Sequence, residues 1–283
     1  MTDLTVVILT KNESLHIQRC LERLAPLSPR EIFVVDSLST DGTQAIVRSW
    51  AATEGAKIGG TTVTVVEHPY PGYQAAQFQW AMDTLPIRSA WVLRIDADEY
   101  LLPELIDEIK VRLPMLSSSA AGVVLRRRHI WRGKWMKRGM YPTRILRLFR
   151  FGRGKSDGKR MDEHIVVDGE TVEFEHDFVD HSLISLVAWQ AKHCEYARRE
   201  AESVRLGERS TGGCAAQKAA YYRLPRYLRV FAYFGYRFLV KGAILEGPIA
   251  WEFCYRHALW YRWRVDGELG RKLNGHCECM LII

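Results

Sequence analysis

Four runs of β-branched and aliphatic residues, each followed by turn or helix residues, constrain the first hundred positions of this chain. Residues 4–10 read LTVVILT, a continuous apolar run of strand length. A run without polar alternation fits a strand covered on both faces. Residues 13–25 place Leu15, Ile17, Leu21 and Leu24 at helical spacing. EIFVVD at 31–36 is a second strand, followed by the turn and cap residues Ser39 to Thr43. Asp41 is expected to cap the helix through Ala45, Ile46 and Trp50. TTVTVVE at 61–67 is a third strand, 73–85 a helix, and 91–95 a fourth strand. Strands alternating with helices predict an α/β fold, a mainly parallel sheet flanked by helices.

The pattern changes after Pro103. A helix precedes a strand at about 121–131, AGVVLRRRHIW. RILRLFRF at 144–151 and EHIVVDG at 163–169 read as strands of an α+β extension. Residues 182–207 read as one long helix, and from Tyr221 onward the chain is helical, aromatic and basic. The expected organisation is therefore a domain over 1–181 and a helical C-terminal extension over 182–283.

No GxGxxG follows the first strand and no GxxxxGK[ST] occurs, which disfavours a dehydrogenase-type dinucleotide fold and a P-loop. The net charge of +7 and pI near 9.1 point to acidic partners. No apolar run reaches the length of a membrane span, and MTDLTVVILTKNES lacks the basic start of a secretory signal. A cytoplasmic setting with reduced thiols at the six cysteines is expected. His276, Cys277, Glu278 and Cys279 are too short a pattern to specify a metal site and read as a chain end.

WVLRIDADEYL at 91–101 crowds Asp96, Asp98 and Glu99 at the end of a buried strand. Like charges so close need a cation or hydrogen-bond donors to compensate them. Strand alternation would send Asp96 and Asp98 to one side. Glu99 would then point away, either supporting them from behind or solvated. Asp36 sits at a second strand end, where a carboxylate can accept from a base or ribose.

VVILTKNES, VVDSLSTDGT and LRIDADEYL, in this order and spacing, resemble family 2 glycosyltransferases of the GT-A fold. The similarity is greatest to the lipopolysaccharide-core β-glucosyltransferase-like branch. It is strong over about 1–110, the nucleotide-binding half, and continues more loosely through HPYPGYQAAQFQWAM, RLFRF, EHIVVDG and the helix after His181, with an acceptor half at about 111–181. The resemblance implies inverting transfer from a nucleoside-diphosphate sugar, UDP-linked by preference, assisted by Mg²⁺ or Mn²⁺. It puts Asp98 on the metal, Asp96 near the ribose or metal, and Thr10, Asn12 and Glu13 beside the nucleotide, with Asp36 at the base. Gln74 or Gln77 would border the donor, unless HPYPGYQ is simply a stiff loop. His181 would complete the metal shell or contact phosphate. Glu163, with Asp162 second, would be the base, unless both acids merely answer the neighbouring basic run.

Residues 126–160 carry fourteen Lys and Arg, with Trp131 and Trp135 interleaved. No nucleic-acid-binding motif supports that partner. Donor or acceptor phosphates, or an anionic membrane, remain. The aromatic and basic C-terminal helices suit a layer packed on the catalytic domain, a lipid interface, or both. An interfacial enzyme would match a lipid-linked saccharide or lipopolysaccharide-core acceptor, at the inner face of the cytoplasmic membrane. A nucleotidyltransferase and a non-catalytic GT-A scaffold are the alternatives. The sequence does not specify an oligomeric state.

Overall fold

Every position of β1 (Thr2–Thr10) from Leu4 onward is buried, because both faces of this strand are covered. In the computed structural model, which describes residues 1–55, 60–208 and 215–271, β1 sits inside a nine-stranded mixed sheet. Leu4, Val6 and Ile8 pack against α1 (Ile17–Leu24), α2 (Thr43–Thr53) and α4 (Pro103–Arg112). Val7 and Leu9 pack on the other face against Phe78, Ala81 and Met82 of α3 (Gln74–Thr84). Each fully buried side chain of this size contributes about 1.5–3 kcal/mol.

β2 (Pro29–Asp36) and β3 (Thr62–Glu67) extend the sheet in parallel on one side of β1. β4 (Trp91–Asp96) lies parallel on the other side, with Leu9 opposite Asp96. The strand order reverses between β1 and β4, so a crevice opens beyond their carboxyl ends, where α/β sheets bind ligands.

The strand geometry ends at Asp96. Ala97 and Asp98 form a turn into β5 (Glu99–Leu101), so the expected alternation that would align Asp96 and Asp98 does not apply. β6 (Ala120–Trp131) pairs with a short β7 (Lys134–Trp135) and antiparallel to β8 (Thr143–Arg150), which in turn pairs antiparallel to β4. A separate ribbon joins β9 (Gly154–Ser156) to β10 (Ile165–Val167). Residues 163 and 164 therefore lie before the strand expected to begin there. β11 (Glu170–Asp180) pairs parallel to β6 and antiparallel to β5, and completes the sheet.

The long helix starts later than Ser182. α5 (Leu186–Arg205) is capped by Ser185, whose Oγ accepts from the Ala188 N–H at 3.2 Å. Beyond it lie α6 (Ala215–Arg223), α7 (Leu228–Gly235), α8 (Pro248–Cys254) and α9 (Tyr261–Gly270). π-helical segments at Tyr236–Val240 and Tyr255–Trp260 extend α7 and join α8 to α9. α9 packs along α5 through Ala197, Tyr261 and Val265. Among the described residues no helix is long and apolar enough to cross a membrane. The tail motif at 276–279 lies outside the described residues.

Candidate active site

The three acids of the β4–β5 turn have separate environments. Asp96 Oδ2 accepts from Arg147 at 3.0 Å, and its backbone N–H donates to Glu99 Oε2 at 2.9 Å. Glu99 is buried, neither solvated nor pointing away, and accepts from the same Arg147 at 2.7 Å. Burial pushes its carboxyl up, to about 8, with Arg147 pulling the other way. For Asp96 burial also pushes upward, but Arg147 and then Arg94 hold it below the usual carboxylate range. Arg94 approaches Asp96 Oδ1 at 3.9 Å, too far for a hydrogen bond, so this buried oxygen has no hydrogen-bond partner among the described residues.

Asp98 differs from both. Its side chain forms no hydrogen bond or ion pair among the described residues, and it faces a cavity of about 770 Å³. Burial, followed by the Asp180 charge, raises its pKa to about 6, against the pull of Lys192. Its carbonyl accepts the His181 N–H at 3.0 Å, which brings the end of β11 to the turn. Arg19 Nη1 lies 3.1 Å from His181 Nδ1, leaving Nε2 as the ring's remaining ligand atom. Among the described residues no three His, Cys, Asp or Glu side chains converge on one cation position. The expected set of Asp98, Asp96 and His181 is therefore not a closed cage. An open site suits a hard cation that takes one or two carboxylates plus substrate phosphates. The free Asp98 carboxylate and the unpartnered Asp96 Oδ1 fit that role.

Two expected nucleotide contacts are internal. Asp36 is fully buried. Its oxygens accept from Thr10 Oγ1 at 2.9 Å, Ser39 Oγ at 2.6 Å, Ser39 N at 2.8 Å and Gln44 Nε2 at 2.8 Å. A carboxylate so saturated shapes the 37–44 loop and presents nothing to a base; Thr10, buried against it, does the same. Asp41 accepts from Thr43 N at 3.1 Å at the entry to α2 and from Ser14 N at 2.9 Å, tying the loops after β1 and β2 together. Asn12 Oδ1 accepts from Thr40 N at 2.9 Å and serves the same junction. Gln77 is buried between His68 and Ser37, a structural role. Glu13 and Gln74 do line the cavity. Glu13 Oε2 sits 2.6 Å from His16 Nδ1, and His16 Nε2 accepts from Leu183 N at 2.8 Å.

A second cavity of about 550 Å³ adjoins the first, sharing Gln74, Asp96, Arg127 and Tyr196 as walls. Glu163 lies in it, paired with Arg94, and Asp162 accepts from Lys218 Nζ at 2.8 Å. Lys218 and then Arg262 hold Asp162 low against the upward push of burial. Both expected base candidates therefore carry a cationic partner. Deep in the first cavity, Trp131 and Trp189 meet edge-on at 5.3 Å. Arg127 Nε, His129 Nε2, Trp131 Nε1, Arg237 Nη2 and His257 Nε2 line it, buried and without partners among the described residues. Unpaired buried polar atoms are costly, so a polar ligand or water is the natural complement.

A family model described as Glycosyl transferase family 2 matches residues 5–167, more than half of the chain. The chain belongs to glycosyltransferase family 2. This family-2 chain is 32% identical over 170 residues to the lipopolysaccharide core biosynthesis glycosyltransferase LpsC of Rhizobium meliloti, covering 59% of this chain and 58% of that protein. It is 41% identical over 107 residues to an uncharacterized glycosyltransferase of Rickettsia conorii, covering 38% of this chain and 33% of the relative. The chain thus spans less than two thirds of these relatives. The fold is that of GT-A glycosyltransferases. The mannosyltransferase PcManGT of Pyrobaculum calidifontis, solved with GDP-Man and Mn²⁺, superposes with a TM-score of 0.52 at 18% identity, over 94% of this chain and 84% of that one.

Sequence reasoning missed the cations. Arg94 interrupts the apolar run of β4, which was the available signal; Arg147 is one of three arginines in β8 and carried none. Lys192 and Tyr196, one turn apart on α5, reach the same cavity and carried no comparable mark.

Proposed function

We propose that this protein transfers a sugar, with inversion, from a nucleoside-diphosphate sugar to a saccharide acceptor. The carrying observation is the free Asp98 carboxylate, beside an ionised Asp96, lining a cavity beyond the strand ends where the strand order reverses. In the proposed arrangement Asp98 and Asp96 Oδ1 hold a divalent cation, Mn²⁺ or Mg²⁺. When bound, that cation neutralises charge on the departing diphosphate. Lys192, which faces Asp98, supplies a further positive charge on the same side. Arg147 and Arg94 keep Asp96 ionised.

The acceptor hydroxyl attacks the anomeric carbon as the bond to the diphosphate oxygen breaks. Glu163, with Asp162 as the other candidate, takes the hydroxyl proton. The donor is a UDP-sugar in this reading, and the deep aromatic and polar part of the cavity receives the acceptor. The similarity to a lipopolysaccharide core enzyme supports a lipopolysaccharide-core or lipid-linked acceptor. Residues 1–181 would hold the acids of the reaction, α5 would add Lys192, and the later helices would wall the acceptor end and form the membrane-associated part, at the cytoplasmic face.

The test is turnover of radiolabelled UDP- and GDP-sugars on bacterial lipid extract, with Mn²⁺ and with chelator. Metal-dependent transfer supports the reading. Binding of the donor without turnover on any acceptor would instead indicate a scaffold.

A further inference from the structure

The helix formed by α7 and its π-helical extension is inverted. Its charged side chains face inward. Arg229 Nε donates to buried Asp266 at 3.0 Å, and buried Arg237 donates to the Gly139 carbonyl at 3.1 Å. Its outer face is Leu228, Phe231, Ala232, Tyr236, Leu239 and Val240, spaced at turns of the helix and without a charge. Leu239 and Val240 are 61% and 74% exposed. A surface helix in water shows the opposite pattern. Leu245, Trp251 and Tyr255 are also exposed, and Trp251 meets Phe238 of this helix at 6.3 Å between ring centres. Isolated soluble monomers rarely expose a continuous patch of this kind.

Exposed Arg223 and Arg226 precede this face, and exposed Lys241 ends it. Arg138 packs beside Gly242, close to that end. No side-chain ion pair joins these four cations to an acid among the described residues, although the Arg138 backbone N–H donates to Glu246 at 2.8 Å.

We propose that this face lies in the headgroup and upper acyl region of an anionic bilayer, with α7 parallel to the membrane plane. Apolar and aromatic side chains bordered by arginine and lysine are the composition of an interfacial helix. A second copy fits less well, because a two-fold contact through this patch would bring its own unpaired cations together. The turn that points Leu239 and Val240 outward points Arg237 into the catalytic cavity, so one helix separates lipid from the site. The proposal deepens the membrane-acceptor reading above and rests on it for its biological purpose; the lipid contact itself is measured independently.

The experiment is co-sedimentation of the full chain with vesicles of phosphatidylglycerol and phosphatidylethanolamine, and with pure phosphatidylcholine. Wild type is expected to partition to the anionic vesicles. The exposed-site double variant Phe231→Asp, Leu239→Asp is expected to lose at least ten-fold in bound fraction, with circular dichroism and nucleotide binding unchanged. The triple variant Arg223→Gln, Arg226→Gln, Lys241→Gln is expected to lose the preference for anionic lipid. Equal sedimentation of the double variant and wild type overturns the proposal. So does wild type that ignores vesicles but runs as a dimer that the double variant dissociates. Vesicle binding without any nucleotide binding would sink the transferase reading while leaving the lipid face standing.

Discussion

The Asp98 carbonyl accepts the backbone N–H of His181 at 3.0 Å, which joins the turn after β4 to the end of β11. Through that bond, residues far apart in sequence reach one cavity, and Asp98 is held there with its carboxylate unpaired. A carboxylate held this way costs stability in the absence of a ligand.

Asp98→Asn is therefore expected to stabilise the ligand-free protein while removing metal-dependent donor binding. The Asp98 pKa is raised from 3.8 to about 6, so its penalty is fully present above about pH 6. It fades as pH falls towards 4, because the folded state then keeps its proton. Allowing for solvent screening, the gain at pH 7.5 is about 1–2 kcal/mol. Thermal melts of both proteins from pH 4 to 8 check this: the gap should close on the acid side. A gap that widens towards acid contradicts the assignment.

Arg147→Met is expected to destabilise strongly, by about 3–5 kcal/mol, because it removes the cation hydrogen-bonded to both Asp96 and buried Glu99 and leaves them only Arg94 at 3.9 Å and Arg127 at 4.0 Å. Urea denaturation reads the loss. The double variant Arg147→Met, Glu99→Gln should recover part of it, and no recovery would show that the two residues are not coupled.

Glu163→Gln is expected to leave donor affinity within about two-fold and to lower transfer by at least about 100-fold, the scale of a lost general base. Single-turnover transfer and calorimetric donor binding separate the two effects. Full turnover would move the proton acceptor to Asp162, whose Asp162→Asn variant is the next to measure.

Asp36→Ala is expected to act through folding. It removes the acceptor for Thr10, Ser39 and Gln44 together, so melting temperature and donor affinity should fall in step. Lost affinity for one base alone, at unchanged stability, would instead place Asp36 on the nucleotide.

The strands β1, β2 and β4 were legible because burial on both faces writes continuous apolar runs, and the edge strand β3 because its residues are mostly β-branched. β11 falls between the strand expected at 163–169 and the helix expected from 182. Its first half reads ETVEFEH, held in the sheet by cross-strand pairs such as Glu173 with Arg126 at 2.9 Å, and no linear pattern encodes those partners. β5 is too short to show a period. Of the site, the acids at strand ends were readable because like charges demand compensation. The compensating cations were not, since Arg147 comes from β8, far along the chain. The donors around Asp36 were unreadable for the same reason: they arrive from β1, from the loop at Ser39 and from α2.

The measurement that reaches the central claim most directly is calorimetric titration of UDP into wild type and Asp98→Ala, each with Mn²⁺ and with chelator. The account predicts binding to wild type with Mn²⁺ and its loss on chelation or in the variant. Equal binding in all four conditions would contradict a metal-bridged nucleotide site at Asp98.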